Sequence, residues 1–201
     1  MSRLKSRLLH YPMKNPLFVT ERTGVLAVTQ GRVLELCFET EKNVHYYSPW
    51  VTDLTVVSLE GAPAEISHAT NDRGLRVEKV FLGSEAIRLP FDDAAFDWVV
   101  STLVLCRTKH TDAILAEARR VLKPSGRLVF LEHGRSDDPS MRQWQRRLKN
   151  LWLEYGGCDV DREIDQLIAG AGFHIEKLDR FQFGRPKFLS SMYRGLARPT
   201  K

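Results

Sequence analysis

Cysteine is scarce: the 201-residue chain carries three, Cys37, Cys106 and Cys158. An odd number, far apart and without a CxxC pair, excludes a disulfide framework and a zinc-ribbon spacing, and a reducing compartment is the expectation. None of the six histidines falls in an HxxxH or HExxH pattern, so spacing predicts no metal site. Long apolar runs are missing as well. No segment approaches the length of a membrane span, and the basic stretch MSRLKSRLLHYPMKN lacks the apolar centre of a signal peptide. A soluble, cytoplasmic protein is therefore expected. Internal repeats and low-complexity tracts are also absent, which excludes solenoids and other repeat arrays.

What is present is a globular balance, 43% hydrophobic and 27% charged, in a length that suits one domain spanning 1–201. Thirty Lys plus Arg against twenty-five Asp plus Glu give +5, a mild excess that favours anionic partners without requiring nucleic acid or a membrane. Five short apolar runs bounded by turn residues predict strands: RVLELCF (32–38), DLTVVSL (53–59), RVEKVFL (76–82), FDWVVSTLVL (96–105) and GRLVFLEH (126–133). TDAILAEARRVL (111–122) predicts a helix, because Ile114, Leu115, Ala118, Val121 and Leu122 share one face. Thr111 or Asp112 is its expected N-cap, and Pro124, Ser125 and Gly126 form the turn that ends it.

Strands alternating with helices imply parallel pairing through right-handed crossovers, hence a doubly wound, Rossmann-like α/β sheet with helices on both faces. A ligand crevice is expected at the carboxyl ends of its strands, near residues 37, 58, 83, 103 and 132. Beyond residue 138 the pattern predicts an arginine-rich helix with Trp144, Leu148, Leu151 and Trp152, then a second helix through Ile164, Leu167 and Ile168. FHIEKLDRF (173–181) and FLSSMYRGLAR (188–198) suit an antiparallel sheet edge. Residues 1–30 are expected to form a helical cap and 138–172 a lid-like helical insertion.

FDDAAFDWVVSTLVLC, followed by a helix and then VLKPSGRLVFLEHGR, resembles the fourth-to-fifth-strand segment of class I S-adenosylmethionine-dependent methyltransferases. WQRRLKNLWLEYGGCDVDREIDQLIAGAGFHIEKLDRF and MYRGLARP resemble the type 11, UbiE-like branch that includes thiol and phospholipid N-methyltransferases. The likeness covers roughly residues 30 to 198. It implies S-adenosylmethionine as cofactor and a small-molecule or lipid-like acceptor bearing a thiol, amine or hydroxyl.

The first strand departs from that family. Where VLEL would lead into a GxGxG turn, this chain has Cys37, Glu39 and Glu41, while Glu35 and Asn43 stand as the family has them. Glycine serves such turns by adopting positive φ and letting the backbone approach the ligand. The added carboxylates would repel the methionine carboxylate and attract its ammonium or sulfonium. After strand two, Ser58 replaces the acid that would hold the ribose hydroxyls. Glu60 returns to the same face if the strand continues, and otherwise is a solvated turn residue. Ser84 and Glu85 follow strand three, where the resemblance implies contact with the adenine edge.

Thr102, Leu103, Val104, Leu105 and Cys106 match the run under the sulfonium. Cys106 suits either a buried apolar position or the pocket floor. His133 just beyond strand five is the candidate general base, with Glu132 to orient it or a cation; a backbone-bonded loop histidine is the alternative. Gly156, Gly157, Cys158 and Arg162 match the branch's GGCxxxR pattern over the substrate pocket, with Trp144 on the substrate side. Equally, the glycines can simply end the helix while Arg162 pairs with an acid. Arg142, Arg146, Arg147 and Lys149 form a basic face that suits an anionic headgroup, with peripheral membrane contact, or plain solvation; no nucleic-acid motif accompanies it. The rival to an enzyme is a binding module that keeps the scaffold without the cofactor.

Overall fold

A computed structural model describes residues 16–37, 43–59, 67–70, 74–82, 88–184 and 186–200. The apolar runs form strands close to their expected places. In chain order the strands are β1 (Gly31–Cys37), β2 (Val51–Ser58), β3 (Ser67–Thr70), β4 (Arg76–Phe81), β5 (Phe96–Thr102), β6 (Leu122–His133), β7 (Phe173–Gln182) and β8 (Ser191–Pro199). Helices α1 (Pro16–Leu26), α2 (Thr111–Val121), α3 (Pro139–Gly156) and α4 (Ile164–Gly170) accompany them.

The sheet runs β3-β4-β2-β1-β5-β6-β8-β7. β4, β2, β1, β5 and β6 pair in parallel, whereas β8 is antiparallel to both β6 and β7, and β3 is antiparallel to β4. The expected doubly wound sheet with an antiparallel C-terminal edge is thus present. Its core lies on both faces. On one, Leu34, Leu36, Val99, Leu128 and Phe130 meet Ile114, Leu115 and Ala118 of α2 and Ile164 and Ile168 of α4. On the other, Val33, Trp98, Val100, Val129 and Leu131 meet Phe18, Val25 and Leu26 of α1, with Phe183 and Met192. Each large side chain so buried contributes on the order of 1.5 to 3 kcal/mol. No helix among the described residues is long and apolar enough to cross a membrane.

Four local differences from expectation have physical causes. β5 ends at Thr102 rather than 105, because Leu103 takes a left-handed backbone (φ 55°) that no strand tolerates. The expected turn at 123–126 survives only as a bulge inside β6: pairing jumps from Phe96↔Leu122 to Trp98↔Arg127, leaving out Pro124, which has no N–H to give. The N-cap of α2 is His110, without a side-chain cap bond, since the Thr111 hydroxyl is engaged by Arg162. β3 is a short polar edge strand with no apolar signature in its sequence.

α3 has both expected punctuation marks. The Asp138 carboxylate accepts from the backbone N–H groups of Ser140 and Met141, Pro139 follows it, and Gly157 ends the helix at φ 68°.

Candidate active site

The carboxyl ends of four parallel strands bring small polar side chains onto one face. Val56, Cys37, Val100 and Leu131 belong to the α1 side of the core, so period-two alternation puts Ser58, Thr102 and His133 there as well. Cys37 pairs with Ser58 and Thr102 with Leu131, which aligns the row across β2, β1, β5 and β6.

Glu35, one pleat back from Cys37, is buried on this face. Its carboxylate accepts the Asn43 amide at 2.6 Å and the Tyr47 hydroxyl at 2.7 Å. Burial pushes the Glu35 carboxyl up to about 7, against the pull of those two hydrogen bonds and of the Arg22 charge. The same burial, with the Glu35 charge, raises Cys37 and Tyr47 well above their ordinary ranges. Arg22 of α1 is itself 4% exposed. Its guanidinium lies 4.6 Å over the Tyr46 ring and 5.8 Å from that of Phe18, and Nε and Nη1 have no hydrogen-bond partner among the described residues. Asn43 Oδ1 is likewise buried and unpartnered.

The raised Glu35 pKa has a consequence for stability. The folded state holds a proton here up to about pH 7, whereas a free glutamate loses it near 4.5. This contribution is therefore full below pH 4.5 and is lost as pH rises through 7. Denaturant unfolding at pH 5 and pH 8 is expected to differ by about 2 to 3 kcal/mol from this group, and Glu35→Gln should remove that part of the slope. An unchanged slope in the variant would contradict the assignment.

Glu132 has a different task from the expected one. Adjacent strand residues point to opposite faces, and Glu132 turns away from His133 toward the turn after β5. It accepts the Ser101 hydroxyl at 2.7 Å, the Val104 N–H at 2.9 Å and the Cys106 N–H at 3.1 Å. Burial raises its pKa, and these donors oppose the rise. Together with the Leu103 N–H bond to the Leu131 carbonyl at 2.9 Å, this grip holds the left-handed Leu103 in place. Glu132 is a positioning residue for 103–106 and does not orient the imidazole.

His133 instead meets two thiols. Its Nδ1 lies 4.0 Å from Cys106 Sγ, and Cys106 Sγ lies 3.7 Å from Cys158 Sγ. All three residues are buried, and one donor atom from each falls within 4.8 Å of the others. The Cys106 hydrogen bond pulls the Cys158 thiol well below its ordinary range, with His133 and Arg107 adding to the effect; burial pushes Cys106 upward. The far nitrogen of His133, Nε2, is buried and has no partner among the described residues, as is also true of Thr102 Oγ1 and Trp152 Nε1. The His133 ring lies nearly parallel to Phe183, at 15°. Val160, Trp152, Leu103 and Leu189 wall the cysteines.

Two expected substrate residues lie elsewhere. The Arg162 guanidinium donates to the Leu105 and Thr108 carbonyls, to the Thr111 hydroxyl and to Asp159, so it ties the loop after α3 to the loop after β5. Trp144 is 49% exposed and packs under the Arg147 guanidinium; Trp152, two turns on, faces the cluster in its place. Glu39, Glu41, Glu60, Ser84 and Glu85 lie outside the described residues.

A family model described as "Methyltransferase domain" matches residues 34–130. Thiol S-methyltransferase TMT1B of Rattus norvegicus is 32% identical over 153 residues, 73% of this chain and 62% of that protein. The mitochondrial 2-methoxy-6-polyprenyl-1,4-benzoquinol methylase of Mus musculus is 40% identical over 99 residues, 49% of this chain and 28% of that protein. The chain belongs to the class I methyltransferase superfamily. The methyltransferase fold matches the crystal structure of Burkholderia thailandensis 1,6-didemethyltoxoflavin-N1-methyltransferase, with bound 1,6-didemethyltoxoflavin and S-adenosylhomocysteine. The TM-score is 0.59 at 17% identity, covering 98% of this chain and 88% of that one. Across the first curated relatives, the chain spans 49% to 66% of their length.

Against the cofactor that this methyltransferase family implies, the buried orphans are complementary. Arg22 offers a carboxylate N–H donors that have no partner among the described residues, Asn43 Oδ1 offers an ammonium an acceptor of the same kind, and Glu35, already bonded to Asn43 and Tyr47, adds its charge beside them. Sequence reading missed Arg22, Tyr47 and Trp152. Arg22 carried a signal all the same: it lies four residues after Phe18 and three before Val25, a charge on the buried stripe of α1.

Proposed function

We propose that this methyltransferase moves the methyl group of S-adenosylmethionine to a small-molecule acceptor, and that the acceptor atom is a thiol sulfur. One observation carries the cofactor half: donors of Arg22 and an acceptor of Asn43, without partners among the described residues, lie by the buried Glu35 carboxylate. A zwitterionic amino-acid end answers both, because leaving such groups unpaired costs about 1 to 3 kcal/mol each, and Glu35 supplies charge opposite its ammonium. When bound, the cofactor supplies an electrophilic methyl carbon on a sulfonium. Arg22 would hold its carboxylate, Glu35 and Asn43 its ammonium, Ser58 at the end of β2 the ribose, and Thr102 and Leu103 would line the same site.

The acceptor half rests on the sulfur-rich end of the row, where Cys106, Cys158 and His133 gather beside Leu103. Similarity to a thiol S-methyltransferase supports the same acceptor class. Residues 138–172 act as the lid of that end, with Trp152 and Cys158 facing inward, and α1 as the cap on the cofactor end; residues 1–15 of the expected cap lie outside the described residues. Displacement at a sulfonium asks the protein for alignment and dryness more than for covalent chemistry, and the buried row provides both.

The assay is transfer of label from methyl-labelled S-adenosylmethionine to small alkyl thiols, alkyl amines and phosphatidylethanolamine vesicles. Label in the thioether, with S-adenosylhomocysteine released in equal amount, is the expected result. Label in amine or lipid alone would overturn the acceptor assignment. Absence of transfer to every acceptor by a folded sample would favour the binding-module reading, which the sequence supports by having Cys37, Glu39 and Glu41 where the family pattern has glycines.

A further inference from the structure

The described residues hold one cluster of soft metal-ligating side chains, and nothing in the cofactor site uses it. Cys106 comes from the turn after β5, His133 from the end of β6 and Cys158 from the loop after α3. They are separated by 27 and 25 positions in sequence, and the fold alone brings them together. We propose that Cys106, Cys158 and His133 bind one thiophilic metal ion, zinc(II) by preference, leaving a fourth position for the acceptor thiol. This rests on the methyl-transfer reading for its purpose and on geometry for its existence.

The geometry is that of a site and not of a disulfide. The sulfurs stand 3.7 Å apart; two thiolates at about 2.3 Å from a tetrahedral zinc are separated by roughly 3.8 Å, while a disulfide needs about 2.05 Å. His133 presents Nδ1 to them at 4.0 Å. Two thiolates and an imidazole select zinc(II) or copper(I) over magnesium, calcium or manganese.

The three ligand-bearing segments are also fastened to one another. Glu132 grips the Cys106 backbone, the Asp159 N–H donates to the Cys106 carbonyl at 2.7 Å, and Arg162 donates to the Leu105 and Thr108 carbonyls. Such outer contacts hold ligands in place before the ion arrives. A separate observation points to a ligand at the same spot. Trp152, packed on the cysteines, has a buried N–H without a partner among the described residues.

Three protein ligands define an open site, the arrangement of catalytic rather than structural zinc. An incoming thiol loses its proton to solvent on coordination, so the bound species is a thiolate. That thiolate attacks the methyl carbon; the new carbon–sulfur bond forms as the sulfonium bond breaks. The product thioether is neutral, a poorer ligand, and leaves. His133 thereby becomes a ligand, and coordination replaces the proton removal expected of it from sequence.

The test uses the full chain, stripped with a chelator under a phosphine reductant and titrated with zinc(II) and cobalt(II). One ion per chain is expected, with cobalt showing thiolate charge-transfer bands and the visible bands of tetrahedral coordination. Cys106→Ser, Cys158→Ser and His133→Asn should each weaken binding by roughly 100-fold or more, whereas Cys37→Ser retains the ion. A small alkyl thiol added to the cobalt protein should shift the spectrum. Failure of a folded sample to take up metal, or retention of metal by the two cysteine variants, would overturn the site. A cobalt spectrum indifferent to added thiol would overturn the open position. Metal and thiol binding without any affinity for S-adenosylmethionine would leave the site standing and sink methyl transfer instead.

Discussion

Glu132→Ala is expected to lose about 3 to 5 kcal/mol of folding stability, because several donors would be left in a dry interior without an acceptor. The Ser101 hydroxyl and the Val104 and Cys106 amides all converge on this one carboxylate, which is fully buried. Total stabilities of about 5 to 15 kcal/mol make such a loss close to unfolding. Urea titration monitored by tryptophan fluorescence measures it. Were Glu132 an orienting partner of His133 with no structural task, the variant would unfold at the wild-type midpoint. The milder Glu132→Gln keeps one acceptor oxygen and should fall between the two.

Arg22→Met should move stability and cofactor affinity in opposite directions. In the free protein the guanidinium is buried, with no partner for Nε and Nη1 among the described residues, so an apolar side chain of similar length is expected to raise stability by about 1 kcal/mol. Affinity for S-adenosylmethionine should fall roughly 30- to 100-fold, the equivalent of about 2 to 3 kcal/mol for a lost charge-assisted bond. Calorimetry and unfolding on the same preparation read both signs. Equal affinity in variant and wild type would remove Arg22 from the cofactor site. Such opposition between stability and binding is what a group held in readiness for a ligand produces.

The central strands were legible because burial on both faces writes continuous apolar runs such as LTVVS and GRLVFLEH into the sequence. The polar edge strand β3 left no such trace, and Leu103 gave no warning of its left-handed backbone, which tertiary contacts impose. Glu35, Asn43, Cys106 and Cys158 were legible as candidates from the family pattern, and His133 from its position beyond strand five. Their partnerships were not. Cys106, His133 and Cys158 meet across three elements, so no spacing rule finds them. Glu132 and His133 are neighbours in a strand, and alternation alone separates their faces, a point that position near the crevice obscured. Arg162 and Trp144 matched a pattern, yet one is consumed by loop carbonyls and the other stands in solvent.

The central claim is that the end of β1 still holds S-adenosylmethionine although Cys37, Glu39 and Glu41 occupy the places of the glycines. Calorimetric titration of the purified chain with S-adenosylhomocysteine, after removal of any co-purifying ligand, tests it most directly. Saturable one-site binding that weakens below pH 7, as Glu35 takes up its proton, is the predicted result. No heat of binding from a sample shown to be folded by its cooperative unfolding would contradict it.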